Sequence, residues 1–362
     1  MPLKRGAPAD TPRCTPMARA SRVVLAMAFG VVVLAGKIGA QELTNEVVRS
    51  LPPETVHIEL IRLAKLRELP SYRELRHEYT ASRLADLELS LAQLGIQDKD
   101  IDQILLAWQP FEDGSDRTSG PADTLPGDLD ADGGSIQNRW PTLFGGLAAG
   151  HFDSQAIEKK ARETQLPPLL LGEHKGFCVS GKAPACMVLF ADSVGAFGNQ
   201  RNLHEIVSAR EGQGANLISS GRLLKLVADI PPEAAIWGVA VDKRIAEWFS
   251  GWPLVQGDAP LDWEQLLKSV ESLRYSVVFG EKIHLTVKLD CKDSPTATAL
   301  TQAFQGFRLL QAWSWQKHNP NQANPIEAVD IQSSQEEVVV GLTTSESTIR
   351  NASLFSPRTE QQ

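Results

Sequence analysis

Three aspartates in a polar, acidic stretch have the spacing of calcium ligands. Asp128, Asp130 and Asp132 alternate along the chain and are followed by Gly133. Oxygen donors at alternate positions before a glycine are typical of calcium-binding loops, but the twelfth position of such loops carries a glutamate, and Arg139 stands there. Two interpretations therefore remain: a calcium site built from the three aspartates, or a solvated acidic loop.

No local motif assigns a catalytic residue. The seven histidines are scattered, without the spacing of four that places two zinc ligands on one helix face. The sequence contains no Cys-x-x-Cys pair, no Gly-x-Ser-x-Gly elbow and no phosphate-binding glycine loop. Carboxylates contributed by separate strands would leave no such motif, so a hydrolase of that kind stays possible and the catalytic residues are unknown.

The densest aromatic stretch contains Trp248, Phe249, Trp252 and Trp263. Such side chains bring a large contact area, so they could stack on a sugar ring or anchor a protein partner. The alternative is packing between helix and sheet, or between two halves of the chain. We give Trp313 and Trp315, further along, the same packing interpretation.

Two of the four cysteines could form a disulfide. Cys178 and Cys186 flank a turn on what we predict to be adjacent antiparallel strands, and counting outward from Lys182 puts them opposite each other. Facing residues in such a ladder are close enough for a bond. A slip of one residue would instead turn them to opposite faces and leave thiols. Cys14 belongs to the leader, and we expect Cys291 to stay reduced.

Residues 1–40 have the layout of a secretory signal peptide. Five basic residues precede Val23–Gly36, an apolar or glycine run of 14 residues, which is short for a membrane span of about 20 residues. We predict export to the periplasm or the extracellular space, with cleavage before Gln41. The alternative is an anchor retained in the membrane by residues 23–36. Met17 could also be the true start.

The charge balance argues against some partners. Removing residues 1–40 takes away six Lys or Arg and one Asp, which moves the net charge from −8 to about −13. Nucleic acid and anionic membrane surfaces need a basic face. We therefore expect neither as a partner, and expect an unknown protein or a small ligand. Apart from the possible calcium ion, no cofactor is indicated.

A short sequence motif, which we call the proline phrase, occurs twice. Residues 51–54 and 230–233 are each an aliphatic residue, two prolines and a glutamate, followed by a strand-like run. We interpret them as the starts of two related repeats, 41–229 and 230–344, followed by a tail at 345–362.

Strand pairs separated by helices favour an α+β fold, in which each repeat is a mainly antiparallel sheet covered by helices on one face. Residues 112–135 are polar and glycine-rich and predict a flexible acidic loop. After Asp293, a long helix is indicated, whose buried face we predict from the spacing of Leu300, Phe304, Phe307 and Leu310.

The function that fits these features is an exported, non-enzymatic binding or structural module of the cell envelope. The alternative is an exported hydrolase whose carboxylates come from separate strands and meet in a cleft between the two repeats. Pockets often lie at such interfaces, so a cleft would suit either function.

Overall fold

The structure is a computed structural model that describes residues 43, 49–76, 81–109, 143–179, 185–242, 244–250, 263–318, 320 and 324–348. The calcium-type aspartates, the acidic loop, the proposed leader up to Gln41 and most of the C-terminal tail lie outside these ranges. Residues 1–44 and 45–362 form separate units. The second unit contains all the strands and helices discussed below.

The strands formed by the described residues all belong to one sheet. In chain order they are β1 (His57–Ile61), β2 (Ile101–Trp108), β3 (Leu143–Gly150), β4 (Pro168–Leu171), β5 (His174–Val179), β6 (Ala185–Ala191), β7 (Val194–Gly198), β8 (Ile236–Val241), β9 (Val270–Phe279), β10 (Ile283–Cys291), β11 (Val329–Ser334) and β12 (Glu337–Thr344).

The described α-helices connect these strands. They are α1 (Leu63–Arg67), α2 (Tyr72–Leu75), α3 (Ala81–Gln93), α4 (Ser154–Glu163), α5 (Gln200–Arg210), α6 (Leu217–Ser220), α7 (Arg222–Ala228), α8 (Arg244–Ser250), α9 (Trp263–Leu267) and α10 (Ser294–His318). Helix α4 begins where the sequence predicts, because the Asp153 side chain accepts a hydrogen bond from the amide of Ala156 at 2.9 Å and caps the first turn.

The sheet has twelve strands in the order β11-β12-β10-β9-β8-β1-β2-β3-β7-β6-β5-β4. Every neighbouring pair is antiparallel. The α+β class and the antiparallel sheet are therefore as predicted. The prediction of two sheets was wrong, because β1 and β8, which follow the two proline phrases, pair with each other and make one continuous sheet.

Helices lie on both faces of this sheet, rather than on one. Neighbouring residues of a strand point to opposite faces. A Cβ built on Gly145 would lie 3.4 Å from the Ile206 side chain of α5, whereas one on Gly146 would meet the Phe197 ring. Phe197 belongs to the main core cluster, to which α1, α4, α8 and α10 contribute buried residues.

The cysteines pair at the register that the sequence count gives. Cys178 in β5 lies opposite Cys186 in β6, and the two are joined in a disulfide. Cys291 is a free, buried thiol. Its burial, together with the nearby carboxylates of Asp290 and Asp293, raises its pKa to about 11, so it stays protonated and unreactive near neutral pH.

Candidate functional site

A carboxylate lies buried at the middle of the sheet. Glu59 in β1 is fully buried and accepts a hydrogen bond from the Tyr275 hydroxyl of β9. Between them runs β8, in which Gly238 pairs with Glu59 on one side and Tyr275 on the other. A Cβ on Gly238 would lie 2.4 Å from the Tyr275 ring. Glycine is therefore what lets the ring cross β8 and reach the carboxylate.

Aromatic side chains enclose this pair. His57 stacks on Trp108 with ring centroids 4.2 Å apart, and the Arg244 guanidinium lies 5.4 Å above the Trp108 ring. Trp248 of α8 stacks on Tyr275 at 4.6 Å. Glutamate and histidine are the residue types of acid–base chemistry, but here both contact protein rather than solvent, since their exposed fractions are 0% and 3%. The arrangement is that of a packed polar core.

The predicted aromatic ligand residues lie partly in this core. Trp248 and Phe249 are both buried, and Phe249 stacks on Phe304 of α10 at 5.6 Å. These contacts are the packing alternative, between helix and sheet and between helices. Trp252 lies outside the described residues, and Trp263 is described only as the first residue of α9. A ligand role for the four aromatics therefore stays a prediction.

The metal prediction has no described residues to test it. Asp128, Asp130 and Asp132 all fall within 110–142, outside the described part of the chain. Within the ranges that are described, no group of three or more His, Cys, Asp or Glu side chains is arranged to hold a metal ion.

Carboxylates from separate elements do converge, although no local motif in the sequence indicates it. The Arg274 guanidinium lies 2.5 Å from Asp229, 2.6 Å from Asp290 and 2.8 Å from Glu337. Ser272, two residues earlier on β9, donates a hydrogen bond to Asp290. The arginine side chain is only 11% exposed, so its charge is compensated by these three acids. The cluster is an ion-pair network rather than a free acid and base.

A cavity of about 360 Å³ lies beside α4, where Gly95, Ile96, His151 and Lys160 are among its lining residues. Outside that lining, Asp102 lies 3.6 Å from the His151 imidazole and 3.0 Å from Arg67. His151 is 87% exposed. An exposed imidazole beside a paired carboxylate is an ordinary surface contact.

The most distinctive exposed feature is the solvent-facing side of α10. Leu309, Leu310 and Trp313 are 63%, 58% and 67% exposed. Arg308, on the sheet-facing side of the helix, donates a hydrogen bond to the Val329 carbonyl at 2.8 Å, and Gln305, at the flank of the helix, donates one to the Ile331 carbonyl at 3.3 Å. Both bonds fix the helix against the edge strand β11.

The sequence prediction for this helix was correct at its start and wrong near its middle. Leu300 and Phe304 are buried as predicted and Phe307 is half-buried, but Leu310 and Trp313 face outward. The packing interpretation is therefore wrong for Trp313. We define the outer face of α10 as Gln302, Gly306, Leu309, Leu310 and Trp313, all of which are exposed.

Within the described ranges, no helix combines the length and the apolar character that crossing a membrane requires. Helix α10 is long enough, at 25 residues, but glutamines interrupt it throughout. Its outer face thus presents three large apolar side chains close together on a folded domain, and exposed apolar patches mark interaction sites when they are large.

No protein-family model matches the sequence, and no curated protein does. Among solved structures, the chain is similar to crystal form I of TP0453, with a TM-score of 0.43 and 7% identity over 86% of this chain and 98% of that one. Crystal form IV of TP0453 gives a TM-score of 0.40 and 9% identity, over 86% and 96%. Likeness at this level carries no argument about function.

Proposed function

We propose that this protein is an exported, non-enzymatic module of the cell envelope that binds a protein partner through the outer face of α10. The carrying observation is that Leu309, Leu310 and Trp313 are exposed within five residues on one helix. Tryptophan is enriched among the few residues that contribute most of the energy of protein interfaces, and the two leucines add apolar area around it.

The state of the acidic groups supports a non-enzymatic function. Glu59 is enclosed by aromatic rings, and Asp229, Asp290 and Glu337 are occupied by Arg274. General acid–base catalysis needs a carboxyl group within reach of the substrate's proton. The hydrolase alternative would draw on a cluster such as that at Arg274, where carboxylates from separate elements meet.

Export is supported by the disulfide between Cys178 and Cys186. Such bonds form and persist in oxidising compartments and are rare in the cytosol. The disulfide thus agrees with the leader-like residues 1–40, whether they are cleaved before Gln41 or retain the chain at the membrane through residues 23–36.

We also propose that the sheet consists of two related halves. Read outward from the middle, one half runs β1-β2-β3-β7-β6 and the other β8-β9-β10-β12-β11. Both have three sequential strands, then a helix opened by an aspartate cap, and later a strand pair in reversed order. In the first half the additional strands β4 and β5 come between that helix and the pair. Asp293 caps α10 through the Thr296 amide at 2.8 Å, as Asp153 caps α4.

Backbone hydrogen bonds at the ends of β1 have counterparts at the ends of β8. The corresponding residues are separated along the sequence by the same number of positions as the two proline phrases. The amide of Val56 donates to Trp108 and that of Ala235 to Val277, both at 2.9 Å. Across the junction, the amide of Arg62 donates to Ala235 at 2.8 Å, and that of Val241 donates to Val56 at 2.9 Å. Donors and acceptors at the two ends of β1 correspond to those at the two ends of β8, at the spacing that separates Leu51 from Ile230. This correspondence supports an approximate two-fold axis between Glu59 and Gly238.

The binding proposal is tested by placing a photo-crosslinking amino acid at position 313 in the protein expressed in its native cells. We expect an adduct of one discrete mass, because a partner covers this side chain. The matched control is position 218 in α6, where Ile218 is 58% exposed and lies on another helix. Equal, diffuse labelling at both positions would contradict the proposal.

A further inference from the structure

The outer face of α10 is self-complementary in shape. At its centre, Leu309 and Leu310 project from the helix. One turn before them, Gly306 has no side chain, and a Cβ built there would stand in open space with nothing within 4 Å. We call this gap in the row of projecting side chains the hollow. One turn after them, Trp313 is a large projection. Gly306 and Trp313 lie at equal distances on either side of the point between the two leucines.

Two copies of this face fit together when the helices run antiparallel. A two-fold axis between Leu309 and Leu310 brings the leucines of the two chains together and places each Trp313 over the Gly306 of the other chain. Insertion of side chains of one helix between those of another is the usual mode of helix packing. A two-fold contact also uses the same patch on both chains, as most protein dimers do.

The charges permit this contact. Between Gln302 and Gln316 the helix carries one charged residue, Arg308, whose guanidinium is bound to the Val329 carbonyl away from the outer face. Lys317, which lies 5.5 Å from its own Trp313 ring, would face Gln302 of the other chain. Along residues 302–317 of the two helices no like charges meet, although the chain as a whole is acidic.

We infer that the partner bound by the outer face of α10 is a second copy of this chain, packed through Trp313, Gly306 and the two central leucines. This inference rests on the proposed binding function and names its partner. A contact made by one helix from each chain is smaller than a standard interface of about 1,600 Å². The dimer should therefore be reversible, with a dissociation constant in the roughly micromolar range.

The test is sedimentation equilibrium on the protein as recovered from expressing cells, over a concentration series. Trp313→Gly and Gly306→Trp should each raise the dissociation constant at least about tenfold, since one removes the projection and the other fills the hollow. The double variant exchanges projection and hollow, so it should restore most of the affinity. Ile218→Gly, which removes an exposed apolar side chain on another helix, should leave the dissociation constant of the dimer unchanged.

All these positions face solvent in the single chain, so melting temperatures near that of the wild type show that the variants fold. A monomer at every concentration, or a double variant no better than the single ones, overturns the inference. A discrete crosslink from position 313 to a different protein would keep the binding proposal and overturn the dimer. If position 313 gives no discrete crosslink and the protein forms no dimer, both the binding proposal and the dimer are overturned.

Discussion

Replacing Gly238 by alanine should lower the free energy of unfolding by about 4 kcal/mol, through overpacking together with the loss of a hydrogen bond to a buried carboxylate. The new methyl group would overlap the Tyr275 ring, which lies 2.4 Å from its position. The Tyr275 ring cannot move far away from the methyl group, since Trp248 is stacked on it. The tyrosine would be displaced from Glu59. Urea unfolding monitored by circular dichroism measures the loss.

Gly341→Ala is the matched control. Gly341 also lies within a strand, β12, but a Cβ there has nothing within 4 Å. Alanine at that position should leave stability unchanged or raise it slightly, because it restricts the unfolded chain. If Gly238→Ala and Gly341→Ala lower the free energy of unfolding equally, the close approach of Tyr275 across β8 does not require a glycine at position 238.

Tyr275→Phe should lower the free energy of unfolding by about 3 kcal/mol, because removing the donor leaves an oxygen of the fully buried Glu59 side chain without that hydrogen bond. The ring and its stacking on Trp248 are kept, so the measured loss isolates the hydroxyl. The readout is again urea unfolding. A variant as stable as the wild type would show that the hydroxyl does not hold the Glu59 carboxyl.

Tyr72→Phe serves as the comparison. The Tyr72 hydroxyl donates to Asp98 at 2.9 Å, but both side chains are only half-buried, and Arg76 lies 3.8 Å from the same carboxylate. Burial, and then the hydrogen bond to Asp98, raise the pKa of Tyr72 to about 12. Water and the arginine can replace the lost hydroxyl, so we expect a cost below about 1.5 kcal/mol.

Local chemistry made several features predictable. Asp153 has a capping side chain before a helical pattern, and helix α4 begins at the next residue. The turn between Cys178 and Cys186 fixes its register by counting, because the side chains of a strand alternate with period two. The repeated proline phrase pointed to β1 and β8, which do pair at the middle of the sheet.

Features that depend on distant parts of the chain were not predictable. In β1, His57 and Glu59 alternate with Ile58 and Leu60, a pattern typical of a half-buried strand. The structure buries all of these residues, since Trp248 and Trp108 cover the polar side. Likewise the spacing of Leu310 matches the buried face of α10, but the sheet supports only the earlier part of that face. Such burial is decided by tertiary packing, which periodicity alone does not contain.

Strands β1 to β7 and strands β8 to β12 form one sheet, joined where β1 pairs with β8. Native-state hydrogen exchange tests it most directly, through the amides of Leu60 in β1, Val239 in β8 and Val287 in β10. We predict that all three exchange only by global unfolding, with equal free energies. Exchange of Val239 and Val287 through a separate, lower-energy opening, with Leu60 still protected, would contradict it and show two independent sheets.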